Sequence, residues 1–255
     1  MHISSLNTTI IKHLYLLEWN ALDWLFPPEC VKCGEPGTNW CDSCQKKIEI
    51  IQKVVCPICG IPSKTNAVCP QCKQHPPTLD WLRSWAIYNE TLKTFIHALK
   101  YKNNRRLATT FANAIAEIYK NNPYPVDFIT VVPLSKKRTR QRGYNQVALI
   151  AKALQPQINL KFHPEAICRI RNTETQVGKN FHERAINVIG AFRANPMLVQ
   201  DKSILILDDV YTTGATLNAC TNALKNAGAS RIIGITAARA GLYQHQSESA
   251  PVNHF

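Results

Sequence analysis

The stretch Ile204–Thr216 reads ILILDDVYTTGAT, and it predicts an α/β fold built on a parallel sheet. The four apolar residues Ile204–Leu207 are typical of a strand that is covered on both faces, because such a strand need not alternate apolar with polar residues. An acidic pair and a hydroxyl-rich turn come next. A helical stretch, Leu217–Ala227, then ends at Gly228, where a helix C-terminal cap is expected. We therefore expect a parallel sheet flanked by helices.

The acidic pair and the turn indicate a site for a phosphorylated sugar. The exposed N–H groups of the turn and the positive end of the helix dipole would hold a phosphate. The carboxylates, a few residues upstream, would accept hydrogen bonds from two sugar hydroxyls. An ordinary strand-to-helix turn without a ligand is the alternative, but it has no need of two adjacent acids at the carboxyl end of a strand. The candidate residues are Asp208, Asp209, Thr212, Thr213, Gly214, Ala215 and Thr216.

Eight of the ten cysteines form four Cys-x-x-Cys pairs. Two such pairs supply the four thiolates of a tetrahedral zinc site, so the set predicts two closed structural sites. A disulfide framework is disfavoured because no secretory signal precedes the pairs, and a redox motif would need only one pair. Neighbouring pairs are expected to share an ion, although spacing also permits an interleaved arrangement. The predicted ligands are Cys30, Cys33, Cys41, Cys44, Cys56, Cys59, Cys69 and Cys72.

The chain is strongly basic, with a formal net charge of +13 over 255 residues. Eight thiolates and two Zn²⁺ ions would still leave a charge of about +9. The basic residues cluster with aromatic residues between them, which favours single-stranded nucleic acid as a partner. The alternative is that these charges serve only the pyrophosphate of a small ligand, or solubility. The candidate nucleic-acid residues are Lys100, Lys102, Arg105, Arg106, Arg140 and Arg142.

Composition predicts four parts and a cytoplasmic location. The cysteine-rich module is too small to fold on apolar burial alone, so metal would supply most of its stability. No uncharged run near the N-terminus approaches the roughly 20 residues of a membrane span. The predicted parts are an N-terminal helix (1–27), a double zinc ribbon (28–76), the α/β domain (77–241) and a disordered tail (242–255).

The middle of the chain supplies the other predicted elements of the α/β domain. A helix is expected to open within Arg140–Gln146 and to run to about Leu154. Cys168 and Cys220 lie outside the zinc pattern and are expected to be small buried residues. The polar segment Arg171–Arg184 suits a mobile flap over a ligand. The other predicted elements are strands at Trp85–Tyr88, Phe128–Val132, Ala166–Ile170 and Ile232–Thr236, and helices at Thr91–Lys100 and Arg105–Lys120.

The acidic strand and its turn resemble the phosphoribosyl pyrophosphate (PRPP) loop of type I phosphoribosyltransferases. The resemblance implies that Asp208 and Asp209 hold the ribose, with a catalytic role in stabilising its developing charge, and that Thr212–Thr216 hold the 5′-phosphate. Mg²⁺ would accompany the pyrophosphate, which the basic loop after the strand Phe128–Val132 would grip. That loop contributes Ser135, Lys136, Lys137 and Arg138, and the flap contributes Arg171, Gln176 and Arg184.

Nearly the whole chain is similar to the ComF family, in which a double zinc ribbon precedes a phosphoribosyltransferase-like domain. The similarity is carried by FPPECVKCG (26–34), VVPLSKKRTRQRGYNQ (131–146), NTETQ (172–176) and the acidic strand. Family members tend to have a glycine in the loop formed here by Lys102–Asn104. The family implies a competence role, in which incoming single-stranded DNA is handled at the inner face of the membrane.

Three functions from different classes follow. The first is a competence accessory protein that binds single-stranded DNA and PRPP. The second is an active phosphoribosyltransferase, although no segment of the sequence can be identified as a pocket for its acceptor substrate. The third is an interaction module whose zinc ribbons dock a helicase-like partner. Whether the protein is an enzyme stays open at this point.

Overall fold

The computed structural model describes residues 27–51, 54–171 and 188–240. The chain divides into two units, residues 1–47 and residues 48–255. The predicted N-terminal helix, most of the flap with Gln176 and Arg184, and the predicted tail lie outside the described residues. Within the described ranges, no helix combines the length and the apolar character needed to cross a membrane.

The first unit is organised by a knuckle around Cys30. A bridge between Glu29 and Pro36 closes the knuckle, and the Gly34 N–H donates to the Cys30 carbonyl at 2.8 Å. The short helix α1 (Asp42–Gln45) follows and carries the buried Cys44. Among residues 27–47 the buried side chains are Trp40 and three cysteines, Cys30, Cys41 and Cys44.

The second unit begins with a knuckle of the same construction around Cys56. Val55 bridges Pro62, and the Gly60 N–H donates to the Cys56 carbonyl at 3.0 Å. The short helix α2 (Pro70–Gln74) carries the buried Cys72. Each cysteine-rich segment thus contains a knuckle followed by a short helix, as expected for a double zinc ribbon.

A five-stranded parallel sheet forms the body of the second unit, as predicted. The strands are β1 (Trp81–Ile87), β2 (Phe128–Val131), β3 (Lys161–Phe162), β6 (Ser203–Tyr211) and β7 (Arg231–Arg239). Their order in the sheet is β1-β7-β6-β2-β3, and every neighbouring pair is parallel. The central strands are almost wholly buried, which explains their continuous apolar runs.

Helices cover both faces of the sheet. The helices are α3 (Glu90–Tyr101), α4 (Leu107–Asn121), α5 (Lys136–Arg142), α6 (Gln146–Ile158), α7 (Pro196–Val199) and α8 (Ala215–Asn226). On one face α4 packs against α6 and onto β7, and on the other face α8 packs against β7 and a small antiparallel sheet. The small sheet pairs β4 (Ile167–Arg169) with β5 (Phe192–Ala194), and the 3₁₀ turn Pro164–Ala166 precedes it.

Alternation along β6 divides its side chains between the two covered faces. Ile204 and Ile206 join the apolar cluster that contains α8 residues, and all four residues Ile204–Leu207 are fully buried. Because successive residues of a strand point to opposite faces, Leu205 and Leu207 face the α4 and α6 side. The same alternation continues into Asp208 and Asp209.

The structure differs from the sequence prediction at several elements. Strand β1 begins at Trp81, four residues before the predicted Trp85. The acidic pair lies within β6, which runs on to Tyr211. The segment expected to be a basic loop is the helix α5, capped by Ser135 at one end and by Gly143 in the left-handed conformation at the other. The strand predicted at Ala166–Ile170 belongs to the small antiparallel sheet because β5 pairs with it. The last strand, predicted to close the sheet, lies between β1 and β6.

Candidate functional site

Asp209 is a buried carboxylate at the carboxyl end of β6, with 8% of its surface exposed. Lys100 Nζ, at the end of α3, lies 2.9 Å from its Oδ2 atom. Gln146, the first residue of α6 and itself 2% exposed, donates its amide N–H to the same oxygen. Burial would raise the pKa of Asp209, but Lys100, Gln146 and Arg142 together hold it below its usual value. Asp209 is therefore ionised.

Asp208 has a different environment from its neighbour. Burial, reinforced by the negative charge of Asp209, raises the pKa of Asp208 to about 7, against the opposing influence of the Asp209 backbone N–H, Lys100 and Arg138. That N–H donates to its Oδ1 atom at 2.8 Å. The pair is thus one fixed carboxylate beside one whose charge changes near neutral pH.

The turn after β6 presents backbone N–H groups next to the acids. Gly214 has φ +77°, and a Cβ there would lie 2.5 Å from the Tyr211 hydroxyl, so both conformation and crowding require glycine. Helix α8 starts at Ala215, whose N–H is directed at the Thr213 hydroxyl, 3.4 Å away. Thr212 is exposed, and Thr216 lies in the first helical turn. This arrangement suits an anion at the start of α8.

The four residues predicted to grip pyrophosphate have separate roles. Ser135 is 7% exposed and caps α5, its hydroxyl accepting from the Arg138 N–H at 3.3 Å. Lys136 and Lys137 are exposed on the first turn of α5. Arg138 lies close enough to Asp208 to oppose the rise in its pKa. Arg138 is therefore the residue of this group that the structure associates with the acidic pair.

The two basic segments, some 40 residues apart in the sequence, meet in space. The Arg142 guanidinium lies 4.6 Å from the Tyr101 ring centre and donates to its hydroxyl at 2.8 Å. The Arg105 guanidinium lies 4.8 Å from the Tyr144 ring centre, and the Tyr144 hydroxyl donates to the Leu99 carbonyl at 2.6 Å. His97 extends the group, 4.7 Å from Tyr101 between ring centres. We call these five side chains, His97, Tyr101, Arg105, Arg142 and Tyr144, the basic–aromatic face.

The other candidate nucleic-acid residues are more dispersed. Lys102 and Arg140 are exposed, and Arg106 is half-buried at the start of α4. Lys100, assigned by sequence to nucleic acid, is instead turned inward onto Asp209, with 19% of its side chain exposed. Asn103 occupies the left-handed region with φ 53°, a conformation that asparagine tolerates better than most residues.

Arg142 connects the basic–aromatic face to the acidic pair. Its second nitrogen donates to the Gln146 side-chain oxygen at 2.8 Å, and Gln146 in turn holds Asp209. Lys100 holds Asp209 from α3 and is the chain neighbour of Tyr101. The contacts form a closed ring through Asp209, Lys100, Tyr101, Arg142 and Gln146.

Sequence reasoning missed three polar side chains near the site. The sequence assigns Gln146 only to the start of a helix, and its contact with Asp209, 63 residues away, has no local signal. Arg169 on β4 lies near enough to Arg138 for their charges to interact. Arg239, at the end of β7, is 5% exposed and had no local signal, since its contacts lie far away in the sequence.

The eight predicted zinc ligands form two sets, each made from neighbouring pairs. Cys30, Cys33, Cys41 and Cys44 form the first set, and Cys56, Cys59, Cys69 and Cys72 the second. Within each set all the sulfurs lie within 4.8 Å of one another. Four sulfurs at about 2.3 Å from a tetrahedral Zn²⁺ are separated by about 3.8 Å, so both sets fit the ion.

Thiol ionisation in each set is uneven. Despite burial, backbone N–H groups lower the pKa of Cys30 and of Cys56 to about 6. Burial and the neighbouring thiols raise the pKa of Cys44 to about 12, and they raise that of Cys72 as well. The N–H groups of each knuckle therefore prepare one thiolate to receive the metal.

Among the remaining cysteines, Cys220 is buried as predicted. Cys168 is exposed, because it is the outward-facing residue of β4.

Comparison with known proteins shows the same two-part organisation. The double zinc ribbon domain matches residues 21–73, and the phosphoribosyl transferase domain matches residues 97–255. Competence protein ComFC of Bacillus subtilis (strain 168) is 30% identical over 217 residues, which cover 82% of this chain and 84% of that protein. This chain belongs to the ComF family.

Two further relatives extend the family comparison. DNA utilization protein YhgH of Escherichia coli (strain K12) is 31% identical over 81% of this chain and 94% of its own length. Competence protein F of Haemophilus influenzae is 28% identical over 75% of this chain and 86% of its own length. The similarity therefore covers three quarters of this chain or more in each of the three relatives.

We predict that the purified chain holds two zinc ions and that the two sets lose metal separately. Cys44→Ser should reduce the content to one ion per chain, because three thiolates no longer close the first site. The measurement is metal analysis by plasma mass spectrometry. Cys168→Ser, which removes an exposed thiol outside both sets, is the control and should retain two. Two ions in Cys44→Ser would contradict the assignment.

We also predict that Lys100→Met raises the pKa of Asp209 above the ordinary aspartate value of about 3.9. Without Lys100 the burial of Asp209 is offset only by the Gln146 amide and the charge of Arg142. The measurement is a pH titration of aspartate carboxyl carbons by ¹³C NMR, with Asp209→Asn to assign the resonance. Lys93→Met is the control, since Lys93 pairs with Glu90 on the exposed side of α3. An unchanged Asp209 titration in Lys100→Met would refute the contact.

Proposed function

We propose that this ComF-family chain is a competence accessory protein that binds single-stranded DNA on its basic–aromatic face. PRPP, carried with Mg²⁺, would bind beside it at the acidic pair and the turn Thr212–Thr216. The observation that carries the proposal is the meeting of two basic segments, so that Arg142 lies on Tyr101 and Arg105 on Tyr144. A cytoplasmic location at the inner face of the membrane and a helicase-like partner belong to the same proposal.

The chemistry of the face suits an unpaired strand. Tyr101 is 59% exposed, so its ring can stack with an unpaired base. The guanidinium groups beside the rings supply positive charge for the phosphates and can themselves stack on bases. Paired bases in a duplex would present only their edges to the same rings. The names of two relatives, a competence protein and a DNA utilization protein, support this choice of partner.

The acidic pair and the turn suit a phosphorylated ribose. Asp208 and the ionised Asp209 would accept from the ribose hydroxyls, and the N–H groups before α8 would hold the 5′-phosphate. Arg138, close to Asp208, would meet the pyrophosphate, whose charge Mg²⁺ partly neutralises. Arg171, which donates to the Ile189 carbonyl at 2.6 Å, marks the base of the proposed flap with Gln176 and Arg184. We infer a ligand or regulatory role for this site.

A second function, transfer of the phosphoribosyl group to an unidentified acceptor, is favoured by the state of Asp209. A carboxylate held ionised beside the ribose would stabilise positive charge that develops there during transfer. Asp208 and Asp209 would then be the catalytic residues. Release of pyrophosphate from PRPP in the presence of candidate bases distinguishes this function from binding alone.

We predict distinct effects of two single substitutions on single-stranded DNA binding. Tyr101→Ala should weaken binding roughly 5- to 150-fold at constant salt, because a stacked base contributes about 1–3 kcal/mol. Arg105→Ala should instead reduce the slope of log affinity against log salt by about 0.7, because one phosphate contact is lost. The measurement is fluorescence anisotropy with a labelled oligothymidine across a salt series.

Arg231 and Tyr124 provide a matched control for this experiment. The Arg231 guanidinium lies 5.1 Å from the Tyr124 ring centre. This pair is near the amino ends of the strands and thus at the opposite end of the sheet from the basic–aromatic face. Arg231→Ala and Tyr124→Ala should leave both affinity and slope unchanged. Equal losses in both pairs would indicate binding by overall charge alone and would exclude the face as the DNA site.

A further inference from the structure

Arg239 is a buried guanidinium that contacts the second cysteine set. It is the last residue of β7 and is 5% exposed. One of its terminal nitrogens donates to the Cys59 carbonyl at 2.5 Å, and the other lies 3.6 Å from the Cys59 sulfur. These atoms are 180 residues apart in the chain. The guanidinium therefore fixes one metal-binding knuckle directly to the end of a central strand.

The same guanidinium also contacts the strand that carries the acidic pair. Its carbon is 4.7 Å from the ring centre of Tyr211, the last residue of β6. Arg239 and Tyr211 are register partners in the sheet, and the Ala240 N–H donates to the Tyr211 carbonyl at 2.8 Å. The Tyr211 ring in turn lies against Gly214, where an added Cβ would be 2.5 Å from the hydroxyl oxygen. Contacts thus run continuously from Cys59 through Arg239 and Tyr211 to the turn.

Charge explains why an arginine is buried at this place. Four thiolates and one Zn²⁺ ion carry a net charge of −2. Arg239 and Arg83 lie next to this set, and Arg83 donates to the Pro57 carbonyl at 3.2 Å and to the Leu82 carbonyl at 2.7 Å. Two guanidinium groups would therefore balance the metal-loaded set. Loss of the metal would remove the ion that holds the four sulfurs together, so the Cys59 knuckle would no longer be fixed beside Arg239.

We propose that Arg239 is a positioning residue that couples metal in the second cysteine set to the conformation of the turn Thr212–Thr216. With zinc bound, the anionic set holds the guanidinium, the guanidinium holds the Tyr211 ring, and the ring supports the turn. Loss of that metal would release Arg239 and loosen the turn. The consequence for PRPP rests on the function proposed above: metal and PRPP would each strengthen the binding of the other.

Hydrogen exchange measured by mass spectrometry tests the coupling without any ligand. In Arg239→Met, amides of residues 212–218 should exchange at least about fivefold faster than in the unmodified chain. Arg231→Met, at the other end of the same strand, is the matched control and should exchange normally. Tyr211→Leu keeps the contact between Arg239 and Cys59 but removes the ring. It should loosen the turn while the chain retains two zinc ions.

Zinc release to a chromogenic chelator supplies a second readout. PRPP with Mg²⁺ should slow the loss of one of the two ions by about fivefold or more in the unmodified chain, and this effect should vanish in Arg239→Met. Arg239→Lys should retain zinc because it keeps the charge, but it should not restore slow exchange, because lysine lacks the planar group that spans carbonyl and ring.

The two proposals fail in different ways. Normal exchange at residues 212–218 in both Arg239→Met and Tyr211→Leu would overturn the coupling, whatever PRPP does. Fast exchange in those variants, with no PRPP binding by the unmodified chain, would uphold the coupling and overturn the proposed PRPP site. If Arg239→Met fails to fold, Tyr211→Leu and Arg239→Lys decide the coupling by the same exchange measurement.

Discussion

The burial of the Asp209 carboxylate is the constraint on which the site depends. A buried charge is tolerated only where cations and hydrogen-bond donors replace water. Here Lys100 comes from the end of α3 and Gln146 from the start of α6, so satisfying one carboxylate holds two helix ends against β6. Because Arg142 is bonded to Gln146, the first turn of α6 and the end of α5 are held together as well.

The same contacts join what would otherwise be two separate surfaces. Tyr101 follows Lys100 in the chain, and its ring carries Arg142, so the basic–aromatic face is built on residues that also neutralise the acidic pair. A ribose that engages Asp209 must share or replace its present partners. A shift of Lys100 would move Tyr101, its neighbour in the chain, and a shift of Gln146 would move Arg142, its hydrogen-bond partner. Ligand binding and DNA binding would therefore influence each other.

The sequence predicts those features that depend on neighbouring residues. The strand, the acidic pair, the turn and the helix around Asp208 lie in one continuous stretch of sequence. The spacing of the four Cys-x-x-Cys pairs likewise predicts zinc binding without knowledge of the fold. The sequence predicts a loop in place of helix α5, because a run of like charges is typical of an exposed loop. Ser135 and Gly143 nevertheless provide the capping signals of this helix. The contact of Arg239 with Cys59 and the turning of Lys100 onto Asp209 could not be predicted, since only the folded sheet brings these residues together.

The most direct measurement is the affinity for single-stranded DNA with and without saturating PRPP and Mg²⁺, at one fixed ionic strength. If the acidic pair and the basic–aromatic face share one network, PRPP should change the dissociation constant by about fivefold or more, and DNA should change the PRPP affinity by the same factor. Identical DNA affinities, with PRPP binding shown by calorimetry in the same samples, would contradict the shared network.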